Sequence, residues 1–336
     1  MSFHLAKENI YISGPCSFLP ERKMSNEDVI QWMGRDIRGS WIEHRTGITS
    51  RHWASDEQAC SDLAAAAAEK LFILFPQLRD STRTLVLATI SGDYPTPPTS
   101  PLLQERLSLK KIGAMDLAAA CAGFVTALHA TTQFCAATGE TQLLIASEIR
   151  SKFLAKDDLG ATALFGDGAA SCFISRDPEN ATFRYRASQL FSDGTVADII
   201  AIQAGGSRLT YEKSQNSEER FLKMKKGATL FVKAAEGMAL CAEEFLTSLQ
   251  LKVSDIHWIV PHQANLHLVR DVARRLNARP ERVVETVQFT GNTSGASVGI
   301  ALAHLREDGA LISGNLVLLV SAGGGGLAAC ALLEVC

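Results

Sequence analysis

The sequence predicts an α/β protein from three observations: short apolar runs bounded by Gly, Pro or charged residues, helical stretches between those runs, and a length of 336 residues. A chain of that length exceeds a single domain of roughly 100–200 residues. Two domains or one duplicated fold are therefore expected, with a boundary near residue 175 that divides it into residues 1–175 and 176–336. The runs Thr84–Thr89, Thr141–Ser147, Ala170–Ile174, His257–Val260, Leu316–Val320 and Ala328–Leu333 have the length and composition of buried strands. Apolar residues at three-to-four spacing predict helices over Ser61–Phe75, Cys121–Thr138, Phe231–Leu249 and Leu266–Leu276. Strands alternating with helices in this way build α/β layers. The polar stretch Ser207–Arg220 reads as a solvated loop.

Hydrophobic residues make up 46% of the chain and charged residues 21%, with a net charge of -3. That balance is ordinary for a soluble protein and gives no bias toward nucleic acid or membrane. Lys7 and Glu8 interrupt the apolar residues of the amino terminus, which does not read as a secretory signal. Residence in the cytoplasm is the expectation. The eight cysteines form no C-x-x-C pair, and those such as Cys172 and Cys330 in apolar runs read as reduced, packed thiols rather than zinc ligands.

Four segments carry chemistry. In Ala114–Ala127 (AMDLAAACAGFVTA), Cys121 stands where a strand-like run passes through small residues into a helix. Unpaired N–H groups and the helix dipole there favour a thiolate, so a lowered thiol pKa is expected. In Trp258–Asn265 (WIVPHQAN), a buried strand ends at Pro261 and delivers His262 onto a loop, where a ring nitrogen can donate a hydrogen bond or move a proton. In Thr290–Ala301 (TGNTSGASVGIA), Asn292 offers an amide that donates to an oxyanion without titrating. Taken singly, these are also compatible with a structural cysteine, a capping histidine and a turn asparagine. Finally, Ser321–Leu327 (SAGGGGL) holds four consecutive glycines, which destabilise strand and helix but let a backbone N–H approach a ligand. The run lacks the Lys-Ser/Thr of a phosphate loop and the G-x-G-x-x-G spacing.

Cys, His and Asn could together serve a papain-like hydrolase, but C-A-G-F and P-H-Q-A-N do not match such signatures. Instead D-x-A-A-A-C-A-G-F, V-P-H-Q-A-N-L and G-N-T-S-x-A-S resemble the three active-site signatures of ketoacyl-acyl carrier protein synthase III, in that family's order. The W-x-x-x-R-T-G-I run at Trp41, F-G-D-G-A at Phe165 and the glycine-rich end extend the resemblance over essentially the whole chain.

The resemblance implies a thiolase-like five-layer α-β-α-β-α sandwich of two similar halves, residues 1–175 with the nucleophile and 176–336 with His and Asn. It implies a homodimer, with Pro95–Gln104 reaching across the interface. Cys121 is then the acyl-accepting nucleophile, His262 and Asn292 hold the malonyl thioester carbonyl during loss of carbon dioxide, and the backbone N–H groups of Cys121 and Gly324 form an oxyanion hole. Trp41, Arg45, Gly160, Phe231, Asn265 and His267 are expected at the substrate and coenzyme A entrance. Arg270, Arg274 and Arg275, with Lys223, Lys225 and Lys226, are expected to dock an acyl carrier protein. The substrates are coenzyme A or carrier-protein thioesters, with no metal or redox cofactor. The pattern departs from the family at Leu159, Ala228, His267 and Ala322: the paired loss at Leu159 and His267 favours a carrier-bound donor or an unusual thioester over acetyl-coenzyme A, and Ala322 leaves the surroundings of His262 less apolar. Alternatives are acyl transfer without decarboxylation, polyketide or alkylquinolone-type synthesis, and a silent subunit paired with an active homologue. The related hydroxymethylglutaryl-coenzyme A synthases need a carboxylate base near the cysteine, and no motif supplies one.

Overall fold

The computed structural model describes residues 2–5, 8–197, 199–224 and 227–336, without the side chains of residues 2–5 and 227–230. Lys225 and Lys226, two of the expected docking residues, lie outside the described residues. The strands are β1 Ser2–Leu5, β2 Tyr11–Phe18, β3 Lys23–Ser25, β4 Ser50–His52, β5 Thr82–Ala88, β6 Gly113–Leu117, β7 Thr141–Glu148, β8 Gly168–Ser175, β9 Phe183–Ser192, β10 Ile200–Ala201, β11 Lys223–Met224, β12 Trp258–Pro261, β13 Leu316–Gly323 and β14 Leu327–Val335. Ten of them join in the order β12-β13-β14-β9-β2-β8-β7-β5-β6, with β1 added on β9. The pairs β5–β6, β5–β7 and β12–β13 are parallel.

Side-chain alternation turns this sheet into layers. On β13, Val317 and Leu319 face a central core while Leu318 and Val320 face another; on β7, Leu144 and Ala146 face the same centre while Leu143 and Ile145 face away. The helices Gly123–Thr138 and Ser297–Glu307 fill the centre, between β5, β7, β8 and β2 on one side and β9 and β12–β14 on the other. Helix Cys60–Leu74 covers the outer face of the first set, and helices Gly227–Ser248 and Leu266–Arg275 cover the second. This is the expected five-layer α-β-α-β-α arrangement.

The two central helices begin side by side. A Cβ on Gly123 would lie 3.3 Å from the Gly295 Cα, and one on Gly295 would lie 2.8 Å from the Ala120 carbonyl oxygen. Small residues at both helix starts are what let Cys121 and Asn292 approach each other.

The hairpin between β13 and β14 is made by the glycine run. Gly326 has φ +70°, and a Cβ there would fall 1.9 Å from the Asp193 carbonyl oxygen. Its own carbonyl accepts the Asp193 N–H at 2.8 Å. Gly326→Ala is therefore expected to cost about 2–4 kcal/mol from strain and overpacking combined. A urea-unfolding midpoint equal to that of the parent chain would contradict this account.

Candidate active site

Cys121 lies in a 3-10 turn, Ala120–Ala122, that leads into helix Gly123–Thr138. Ala120 sits in the left-handed region at φ +46°, an uncommon conformation for alanine that turns the chain sharply just before the thiol. The sulfur lies 3.8 Å from Ser294 Oγ and receives the Gly324 backbone N–H. Burial nevertheless pushes the Cys121 thiol above its usual value, outweighing those two hydrogen bonds; the Glu148 carboxylate acts in the same direction as burial, and Arg150 against it. The lowered pKa expected from the helix start is thus corrected. In an apolar pocket the cost of a bare thiolate exceeds what that turn offsets, and Cys121 rests as a thiol.

His262 follows β12, its backbone N–H held by the Val320 carbonyl at 2.8 Å. Its Nδ1 meets Ser297 Oγ at 2.7 Å, and that hydroxyl lies 3.5 Å from the Gln263 N–H as acceptor. The network assigns the Ser297 proton to Nδ1 and leaves Nε2–H as the ring donor. Burial lowers the imidazole to about 4, so it is neutral at physiological pH.

Asn292 bridges to Phe165: its N–H bonds the Leu164 carbonyl at 2.9 Å, and its carbonyl accepts the Gly166 N–H at 3.1 Å. The side-chain oxygen accepts the Ser294 N–H at 2.9 Å, which leaves the amide NH2 as the free donor. Gly291, at φ +64°, is required beside it because a Cβ would lie 2.8 Å from the Arg51 Cβ.

Cys121, His262 and Asn292 all line one cavity of about 360 Å³, with Phe231, Leu164, Phe165 and Met224 among its walls. A second cavity of about 220 Å³ also opens on Cys121 and is lined by Ile90, Arg150, Phe165, Ile200, Ile202 and Leu222. A thiol with a backbone donor can accept an acyl group, and neutral N–H donors in the adjoining cavity can hold an anionic oxygen.

Residues 115–194 match the family model of 3-oxoacyl-[acyl-carrier-protein (ACP)] synthase III, and residues 246–335 match that of its C-terminal part. A beta-ketoacyl-[acyl-carrier-protein] synthase III of Oleidesulfovibrio alaskensis is 34% identical over 94% of this chain and 96% of its own. This chain belongs to the beta-ketoacyl-[acyl-carrier-protein] synthase III family. It is accordingly a condensing enzyme, an acyltransferase of the thiolase fold. A 3-oxopimeloyl-[acyl-carrier-protein] synthase of Brucella abortus is 30% identical over 94% of this chain and 96% of its own. The structure of the 3-oxoacyl-(acyl carrier protein) synthase III of Pseudomonas aeruginosa superposes with a TM-score of 0.87 at 31% identity, covering 98% of each chain.

Within this synthase III, the remaining expected residues fall in several places. Trp41 is exposed, and Arg45, one turn on in the same helix, stacks over its ring at 5.1 Å. Gly160 is exposed in the short helix Leu159–Thr162, and Leu159 packs against a buried cluster. Phe231 lines the larger cavity. Asn265 caps helix Leu266–Arg275, its side-chain oxygen accepting the Leu268 N–H at 2.8 Å. His267 Nε2 is 3.1 Å from the His44 carbonyl oxygen. The basic helix is largely self-compensated. Arg270 pairs with Glu285 through two nitrogens at 2.9 and 3.1 Å, and Arg274 and Arg275 share Asp271. Lys223 pairs with Glu218 at 3.4 Å.

Three residues at the synthase III site were not anticipated: Ser297, Glu148 and Arg150. Glu148 is buried at the end of β7, where it accepts the Ser91 hydroxyl at 2.5 Å and the Ile90 N–H at 3.4 Å. Burial raises its carboxyl to about 7. The readable signal was Glu148 and Arg150, two charges just after the apolar run Leu143–Ala146.

Proposed function

We propose that this enzyme takes an acyl group from a thioester onto Cys121 and condenses it with a malonyl group on acyl carrier protein, with loss of carbon dioxide. The supporting observation is the convergence of the Cys121 thiol, the His262 ring and the Asn292 amide on one cavity. The sulfur attacks the donor carbonyl and displaces the donor thiol, which takes the Cys121 proton. The backbone N–H groups of Cys121 and Gly324 stabilise the oxyanion. In the second half-reaction the malonyl carboxylate leaves as carbon dioxide, and its electron pair forms an enolate held by His262 Nε2–H and the Asn292 amide. That carbon attacks the acyl-cysteine carbonyl and releases the Cys121 thiolate, which takes a proton from solvent to regenerate the thiol. The electron pair released as carbon dioxide leaves is the pair that forms the new carbon–carbon bond, so the steps need no external oxidant or reductant.

A homodimer and a reducing, cytoplasmic setting belong to the same proposal. Edge strand β6 exposes Met115, and Ile90, Tyr94 and Leu102 are exposed in the segments before it. Apolar side chains on an unpaired edge favour pairing with a second chain. All eight cysteines are free, which fits a reducing compartment. Among the described residues no helix is long and apolar enough to cross a membrane.

The test is incubation with an acyl thioester and malonyl-carrier protein, following carbon dioxide release and the mass of the product. Product without carbon dioxide release would support transfer without decarboxylation instead. Delivering one acyl chain on coenzyme A and on carrier protein is expected to favour the carrier, since Leu159 is packed inward and His267 contacts a backbone carbonyl. A preference for coenzyme A would refute that part. Charge reversal of Arg274 and Arg275 to Glu is expected to lower kcat/KM for carrier-bound malonyl about tenfold at low salt, because complementarity sets encounter rate. Identical kinetics at two ionic strengths would exclude docking at this helix.

A further inference from the structure

The second cavity contains a charge that the condensation does not use. Arg150 is 3% exposed, and its Nε and Nη1 have no hydrogen-bond partner. The guanidinium is held between the rings of Phe153 and Phe165, at 5.6 and 5.8 Å from their centroids. Among the described residues no carboxylate lies within salt-bridge distance of it; the Arg150 charge acts through space on the Glu148 carboxyl, which is itself hydrogen-bonded by Ser91 and the Ile90 N–H. Arginine is always protonated and offers a rigid fork of donors matched to a carboxylate. A buried guanidinium with two donors unsatisfied is costly, Glu148 acting through space offsets only part of that cost, and a wall of Ile90, Ile200, Ile202 and Leu222 offsets none of it.

The position of this charge determines what can answer it. Arg150 lines the smaller cavity together with Cys121, whereas His262 and Asn292 line the larger one. Cys121 lines both cavities, so with the malonyl group held by His262 and Asn292 in the larger one, the smaller one with Arg150 is left for the acyl group on the sulfur. A volume of about 220 Å³ is below the roughly 300–1,000 Å³ of sites for drug-sized ligands, which suits a short chain.

We propose that the acyl pocket selects a short acyl chain ending in a carboxylate, the half-thioester of a dicarboxylic acid, whose far end is bound by Arg150. The proposal rests on the acylation of Cys121 advanced above. Methylene groups of such a chain would lie against the isoleucines, and its carboxylate would fill the vacant donors of the guanidinium between the two phenyl rings. A neutral chain of equal length would leave those donors unsatisfied.

Glutaryl- and pentanoyl-coenzyme A have acyl chains of equal carbon count on the same carrier, so any preference of the enzyme for one carrier cancels between them. Acylation of Cys121, followed by intact mass, is expected to be at least about tenfold faster with glutaryl. Arg150→Leu is expected to invert that preference, and Arg150→Lys to retain part of it. Pentanoyl transfer as fast as or faster than glutaryl transfer in the unaltered enzyme would overturn the inference while leaving the condensing reaction in place, and would not depend on any variant folding. Failure of both thioesters to acylate Cys121 would instead overturn the proposed function and the inference with it.

Discussion

Replacing Cys121 with alanine is expected to abolish acyl-enzyme formation and lower condensation by at least about 10⁴-fold. The surroundings explain why nothing else takes over. The nearest hydroxyl, Ser294 Oγ, lies 3.8 Å from the sulfur, and the backbone of Ser294 is fixed by its N–H to Asn292. A serine hydroxyl also needs a base, whereas His262 is committed through Nδ1 to Ser297. Burial of the other cysteines near the core, such as Cys60 and Cys172, raises their thiols well above the usual value. Labelling of the alanine variant by an acyl thioester would show that the nucleophile lies elsewhere.

Removing the donors of the second half-reaction should separate it from the first. His262→Ala or Asn292→Ala is expected to leave acylation of Cys121 within a few-fold of the parent while lowering condensation about 10²–10³-fold, the usual effect of deleting one oxyanion donor. The division follows from position: the Gly324 N–H reaches the sulfur, whereas the His262 ring and Asn292 amide line the cavity beside it. The pH dependence adds a check. Because burial holds His262 at about 4, below its usual 6.5, the ring remains a neutral donor down to mildly acidic pH, and protonation should impair condensation only as pH falls toward 4. The same depression destabilises the fold over that interval, since the unfolded chain takes up the proton first. Equal loss of both half-reactions in the variants would refute the division of roles.

The fold was legible where a run was apolar on both faces. The strands around Leu143, Cys172, Leu318 and Cys330 sit in the middle of the sheet, under helices on either side, and read as unbroken apolar segments. Strand β2 was not anticipated because Gly14 and Pro15 interrupt it. The register on β8 shifts between Ser13 and Cys16, and an irregularity there tolerates a proline with no N–H to give. Strand β9 could have been found, since Phe183, Tyr185 and Ala187 are buried and alternate with Arg184 and Arg186. At the site, the signatures pointed to Cys121, His262 and Asn292, but local sequence says little about solvation. Whether a thiol at a helix start is charged depends on residues such as Glu148 and Arg150, brought beside it by β7. Likewise, the basic look of the helix after His262 gave no warning that Asp271 and Glu285 would neutralise much of it.

The contact between Gly123 and Gly295 also bears on how such an enzyme can change. A methyl group added at Gly295 would press on the Ala120 carbonyl next to Cys121, and one added at Gly123 would press on the Gly295 backbone in the turn that follows Asn292, so drift at the centre bears on both half-reactions. The outer walls of the smaller cavity carry no such double penalty. New primer tolerance in this scaffold is therefore most accessible at Ile90, Arg150 and Ile202, where one substitution alters what is accepted while the machinery that joins carbon to carbon is inherited intact.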